Sequence, residues 1–175
     1  MRVGVIGLGA MGMGAALSCL RGGLDTFGCD LNPAARDAFA QAGGAAVARP
    51  AELPEALDAV LLLVVNAAQT RAALFGPEGC LGRLAPGGVV ISSATMGPAD
   101  ARELAEQAEG AGLLYLDAPV SGGAAKAAEG AMTVMASGSR AAFDRARPVL
   151  DAVAAKVWEL GEAPGIGATV KVVHQ

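Results

Sequence analysis

Two short segments at opposite ends of the chain carry residue types that could do chemistry together. Near the start, Gly7-Leu8-Gly9-Ala10-Met11-Gly12 has the G-x-G-x-x-G spacing. In such a loop the first glycine permits a tight turn and the second lets a pyrophosphate approach the backbone. The third allows close helix–strand packing, and the helix N-terminus faces the phosphates. An acid follows: Asp30 lies 18 residues after Gly12, near the spacing at which a carboxylate accepts hydrogen bonds from ribose hydroxyls. Asp30 would also repel a 2′-phosphate, so the loop predicts NAD over NADP. Near the end, Gly167-Ala168-Thr169-Val170-Lys171-Val172-Val173-His174-Gln175 sets one lysine in a mainly apolar stretch that reads as an opening helix. Burial and a neighbouring nicotinamide cation would both favour the neutral amine, which could then accept an alcohol proton. A solvated lysine on a helix face would show the same spacing. A dinucleotide loop and a placed lysine together point to hydride transfer.

Three further segments fall at predicted strand ends, where open α/β sheets bind ligands. Val64-Val65-Asn66 should line the cofactor cleft. Ser93-Ala94-Thr95 could bring the Thr95 hydroxyl near the nicotinamide. In Asp117-Ala118-Pro119-Val120-Ser121-Gly122-Gly123, the Ser-Gly-Gly turn would expose adjacent N–H groups and a hydroxyl to a substrate carboxylate. An ordinary turn has the same composition.

These segments need a scaffold, and the chain alternates strand and helix. Strands are predicted at 2–6, 26–29, 45–47, 59–65, 89–92, 113–116, 132–136 and 156–159, the last closing the sheet. Helices are predicted at 11–21, 33–41, 50–57, 67–75, 98–109 and 140–153, with a last one starting near Gly165. Such alternation with short connections implies a Rossmann-type α/β fold, a doubly wound, mostly parallel sheet covered on both faces. Residues 1–163 are expected to form the NAD-binding domain and 164–175 the start of a further helix.

Composition narrows the function classes. The chain has 175 residues, 53% hydrophobic and only 3% aromatic, enough for one core built mostly of Ala, Val and Leu. Net charge is −4 and no basic run occurs, which speaks against nucleic acid. Mean hydropathy is +0.46. The longest wholly apolar run, Ala59–Val65, has seven residues, against roughly 20 for a spanning helix, so it fits a buried parallel strand and no membrane span is expected. Cys19, Cys29 and Cys80 show no C-x-x-C, and His174 is the only histidine. Free buried thiols in a reducing cytoplasm, and no metal site, are expected.

The chain resembles the N-terminal part of the β-hydroxyacid dehydrogenases, the family of 3-hydroxyisobutyrate dehydrogenase. The resemblance rests on Gly4–Gly12, the Ser-Ala-Thr segment ending at Pro98, Asp117–Gly123, and Gly167-x-x-x-Lys171-x-x-x-Gln175. Within that family, Val64–Thr70 and Asp117–Ala125 look most like L-threonate dehydrogenases. The resemblance implies NAD-dependent oxidation of a small hydroxy acid. Lys171 would be the general acid/base, with Ser121, Gly122 and Gly123 on the substrate carboxylate. Thr95 would lie between substrate and nicotinamide, and Gln175 would orient a hydroxyl. The family's lysine motif usually carries asparagine where His174 and Gln175 stand, and the lysine–histidine pairing is similar to that of 6-phosphogluconate dehydrogenases. The resemblance also implies a C-terminal all-helical domain, absent from these 175 residues, that makes a homo-oligomer and completes the substrate pocket. The alternatives are a nucleotide-binding module without catalysis and a 6-phosphogluconate dehydrogenase-like enzyme.

Overall fold

The computed structural model describes residues 1–174. Strand β1 (Arg2–Ile6) leads into helix α1 (Ala10–Arg21), then β2 (Asp25–Cys29), α2 (Pro33–Gln41) and β3 (Ala45–Val47). The chain crosses back to β4 (Leu57–Leu62), α3 (Ala67–Phe75), β5 (Leu84–Ser92), α4 (Pro98–Gly110) and β6 (Leu114–Asp117). These six strands form one all-parallel sheet in the order β3-β2-β1-β4-β5-β6. The direction of winding reverses between β1 and β4, which opens a crevice at the carboxyl ends of those strands.

Period-two alternation divides the core into two layers. Val3, Val5, Ala59, Leu61, Val89 and Ile91 pack on one face with residues of α1 and of α6 (Arg140–Val153). Ile6, Val60, Leu62 and Val90 pack on the other with residues of α3 and α4. Strands covered on both faces read as near-continuous apolar runs, which is why Ala59–Leu62 carries no polar residue.

The segment after β6 departs from the expected single sheet. β7 (Val120–Ser121) pairs antiparallel with β8 (Met132–Ala136), and β9 (Ala154–Glu159) pairs parallel with β8. Residues 156–159 therefore do not close the main sheet; they edge a separate three-stranded one. Pro119 has no N–H for a ladder and its carbonyl is taken by Met135 N at 2.9 Å, so the chain leaves the main sheet there. A lone antiparallel bridge, Asp117 to Ser137, joins the two sheets.

Two other boundaries differ. The helix expected at 50–57 is a single 3-10 turn, Pro50–Glu52, because Pro54 holds Leu53 extended (ψ 151°). The central strand stops at Leu62, and Val65 N bonds Gln69 Oε1 at 2.9 Å instead of a neighbouring strand. The short helix α5 (Gly123–Ala128) packs on α1 with almost no gap: a Cβ on Gly14 would come within 2.5 Å of Ala128 N. Helix α7 (Ile166–His174) ends the described chain, and no helix in it is long and apolar enough to cross a membrane.

Candidate active site

The glycine loop fills the mouth of the crevice, and its three glycines do different work. Gly7 has φ +95°, and a Cβ there would come within 2.5 Å of the Leu63 carbonyl oxygen. A Cβ on Gly12 would collide with the Gly7 carbonyl. Both are required by the protein itself. A Cβ on Gly9 would meet no protein atom within 4 Å, so the open space above Gly9 at the start of α1 is free for a ligand. Ala10 and Met11 form the first turn of α1 beside it.

Asp30 stands at the end of β2 with both oxygens anchored. Oδ2 accepts from Leu8 N and Oδ1 from Asn32 N, each at 2.8 Å. An ionised carboxylate offers about four acceptor positions, so lone pairs remain for a ribose diol. The buried Leu8 side chain and its committed N–H brace the loop from behind. Gly7, Gly9, Asp30, Val64 and Val65 border one cavity of about 770 Å³, with Leu31 and Val65 exposed at its rim. Asn66 does not line it; its Oδ1 caps α3 by accepting from Gln69 N at 2.9 Å. An anchored acid and a glycine cradle that a Cβ would fill suit a dinucleotide.

Lys171 lies on a second, smaller cavity of about 420 Å³, whose walls include Ser121, Thr133, Trp158 and His174. Its Nζ donates to the Val120 carbonyl at 2.9 Å, which leaves two of its three donors for other partners. Next to Ser121, Gly122 (φ +126°) and Gly123 (φ +72°) turn through left-handed backbone, and a Cβ on Gly123 would meet nothing within 4 Å. Lys171 and Ser121, 50 residues apart in sequence, thus meet at one pocket, whereas Gly122 and Gly123 do not border it. Thr95 sits half-buried in the loop after β5 and lines neither cavity. Gln175 lies outside the described residues.

Sequence reasoning did not single out Thr133 or Trp158. Thr133 is the one polar position in β8 and pairs with Ser121, a pairing that the two-residue β7 leaves unmarked in the sequence. Trp158 is the sole tryptophan, half-exposed on β9, with Lys156 Nζ 4.2 Å from its ring centroid.

The helix carrying Lys171 is tied down at its start. Asp117 is 1% exposed, and its Oδ2 accepts from Gly165 N at 3.0 Å and from Ala168 N at 2.8 Å. Ser137 Oγ accepts from Gly167 N at 2.9 Å. These side chains satisfy N–H groups that a helix start leaves without intrahelical partners. Burial pushes the Asp117 carboxyl above its ordinary value, opposed by the Ala168 and Gly165 N–H groups and the Ser137 hydroxyl. Gly167 lies flush on this seam: a Cβ there would collide with the Met135 carbonyl. Residues i and i+4 share a helix face, so the contact at Gly167 turns Lys171 toward Val120. Elsewhere, burial pushes the thiols of Cys19, Cys29 and Cys80 up to about 12, which leaves them poor nucleophiles.

Comparison with known proteins agrees with this geometry. Residues 2–161 match the family described as the NAD binding domain of 6-phosphogluconate dehydrogenase. The chain is 55% identical over 174 residues to the L-threonate dehydrogenase of Escherichia coli K12, covering 99% of this chain and 58% of that protein. It is 32% identical to the 2-hydroxy-3-oxopropionate reductase of the same organism, over 100% of this chain and 59% of the relative. Among solved structures, 3-hydroxyisobutyrate dehydrogenase from Salmonella typhimurium superimposes with a TM-score of 0.96 at 52% identity, over 99% of this chain and 61% of that one. The chain thus spans about 58% of the length of the curated relatives it matches. With the glycine loop, the anchored Asp30 and the switch-point crevice in place, the chain belongs to the family of the 6-phosphogluconate dehydrogenase NAD-binding domain, which it shares with the β-hydroxyacid dehydrogenases.

Proposed function

We propose that this chain supplies the NAD-binding half of an enzyme that oxidises a small hydroxy acid, with L-threonate the leading candidate. The observation that carries this is the meeting of Lys171 and Ser121 at one cavity, outside the dinucleotide cleft but on the same molecule. Bound NAD supplies the hydride acceptor at nicotinamide C4. Asp30 holds the adenosine ribose and disfavours a 2′-phosphate, so NAD is preferred to NADP. Ser121 with the Gly122 and Gly123 N–H groups seats the substrate carboxylate. Lys171 would act as general base, its Nζ accepting the alcohol O–H proton as the carbinol hydrogen is given up as hydride. Thr95, which lines neither cavity by itself, would come between substrate and nicotinamide once both are bound, and Gln175 would orient a substrate hydroxyl.

The substrate assignment is supported by the 53–56% identity to five L-threonate dehydrogenases. The 175 residues bind NAD and turn over slowly alone, because the Lys171 pocket is open and a catalytic pocket works best when water is excluded and substrate is held. A homo-oligomer built by additional helical sequence, and a cytoplasmic setting suited to three buried free thiols, belong to the same reading.

The test joins the chain to the C-terminal portion of its Escherichia coli relative and follows NAD reduction with L-threonate beside 3-hydroxyisobutyrate, with Lys171→Ala as control. A Lys171-dependent rate on L-threonate is expected. A preference for 3-hydroxyisobutyrate would move the substrate within the same chemistry. No rate with any hydroxy acid, despite tight NAD binding, would replace the reading with a nucleotide-binding module lacking catalysis.

A further inference from the structure

We propose that Asp117 is a positioning residue that locks the Lys171 helix to the Ser121–Gly123 turn. The inference rests on the reading of Lys171 as proton acceptor, and it concerns how that amine is aimed. The geometry is specific. One buried oxygen, Asp117 Oδ2, accepts from both Gly165 N and Ala168 N. Gly165 has φ +101°, a left-handed turn that brings the chain back over Asp117 before α7 begins. Main-chain bonds in both directions, Asp117 N to Ser137 O at 3.0 Å and Ser137 N to Asp117 O at 2.8 Å, fix the carboxylate's own backbone. Ser137 then adds the Gly167 N contact.

Asp117 also begins the segment that ends in the Ser-Gly-Gly turn, only four residues before Ser121. A shift of the carboxylate therefore moves two things at once: the start of α7, and with it Lys171 one turn beyond Gly167, and the root of the turn proposed to hold the substrate carboxylate. The Lys171 Nζ bond to the Val120 carbonyl closes this ring of contacts from the far side. The glycine loop and Asp30 lie on other elements, so cofactor affinity is insulated from the change. A helix cap needs an acceptor and not a charge, and an amide oxygen can replace Oδ2.

The test reads Lys171 directly as well as through activity. In the 175-residue chain, a water-soluble amine-acylating reagent is applied at limiting dose, and labelling of each lysine is followed by mass spectrometry. In Asp117→Ala, Lys171 should label at least several-fold faster while the exposed Lys126 and Lys156 are unchanged. In the turnover assay above, Asp117→Ala should lower kcat by about 100-fold, the scale of a reacting group misplaced by about 1 Å, with the Kd for NAD within about twofold. Asp117→Asn should recover most of both effects, and Ser137→Ala, which removes one N–H acceptor, should fall between. Unchanged Lys171 labelling and unchanged kcat in Asp117→Ala would overturn the proposal. So would a loss of NAD affinity parallel to the loss of kcat, in Asp117→Ala or in the milder Ser137→Ala, because that pattern marks general unfolding. Faster labelling in a chain that oxidises no hydroxy acid would keep the positioning role and remove only the proton-acceptor reading.

Discussion

The two cavities are built on different principles. The dinucleotide cleft is made of main chain: Gly7 and Gly12 are forced by backbone contacts within the protein, Gly9 leaves a void, and Asp30 is anchored by two N–H groups. It lies wholly within the six-stranded sheet and its first connections. The Lys171 pocket is made of side chains drawn from the small second sheet and the last helix, and Trp158 on its wall, together with Val172 and Val173 on the pocket's helix, remains solvent-exposed. A backbone site is finished once the strands pair, whereas a side-chain site depends on how separate elements dock. The cofactor end should therefore tolerate changes at the substrate end, and the reverse coupling should run through the α1–α5 and α7 contacts.

The sharpest way to break this comparison is Lys171→Ala in the turnover assay. Loss of a general base lowers kcat by about 10²–10⁴-fold, and NAD affinity measured by fluorescence titration should stay within about twofold. A parallel loss of NAD affinity would show that the two regions are not separable. Next in size is Asp30→Ala. Removing a charged acceptor from two ribose hydroxyls should weaken NAD by roughly 1.5–3 kcal/mol and raise NADP relative to NAD in competition titrations; an unaltered NAD:NADP ratio would mean that Asp30 serves only Leu8 and Asn32. Gly9→Ala is smaller and more diagnostic. Its Cβ meets no protein atom, so the thermal midpoint should hold nearly constant while NAD affinity falls about tenfold, equivalent to about 1.4 kcal/mol. A drop in the midpoint without a drop in affinity would assign the void to the fold.

The smallest expected effect lies outside both cavities. The backbone N–H of Arg2, and then the Arg145 guanidinium, hold the Asp58 carboxyl below its ordinary value against the opposing effect of burial. A carboxyl lowered by folding contributes stability above its unfolded pKa, near 4, and loses that contribution as pH falls through the folded value. Asp58→Asn should cost about 1 kcal/mol or less at pH 7, given partial solvent screening. Its thermal midpoint should converge on that of the parent chain as pH falls below the lowered folded value of Asp58. Neither cavity's ligand affinity should change.

The difference between the regions also explains what could be read from the residues. The parallel sheet covered on both faces follows from strand–helix alternation, though its strand order does not, and the crevice follows from G-x-G-x-x-G with Asp30, because local backbone constraints leave a local sequence mark. Helix starts were equally legible where proline or a capping side chain stands, as at Pro33 and Pro98. The second sheet was not. Val120–Ser121 is too short for periodicity, and its pairing with Met132–Ala136 depends on Pro119 ejecting the chain from the edge of the main sheet. Lys171 stood out as one lysine in an apolar stretch, but a solvated lysine on a helix face has the same spacing, and resemblance decided between the two readings. The physical signal was Gly167 four residues earlier, whose collision-tight seat on Met135 sets the facing of the whole helix. Thr133 and Trp158 escaped because a wall residue is defined by what lies opposite it.

The contact at Gly14 has a consequence for reach. Helix α1 begins at the loop that would take the pyrophosphate, and α5 begins at the turn that would take the carboxylate. Where they cross, backbone meets backbone, and no rotamer stands between them to alter the thickness of the joint. The interval from one anion seat to the other is then a gauge length set by peptide geometry. Repacking of the surrounding alanine-rich core would change how firmly the protein holds together long before it changed the span between the two proposed anion seats.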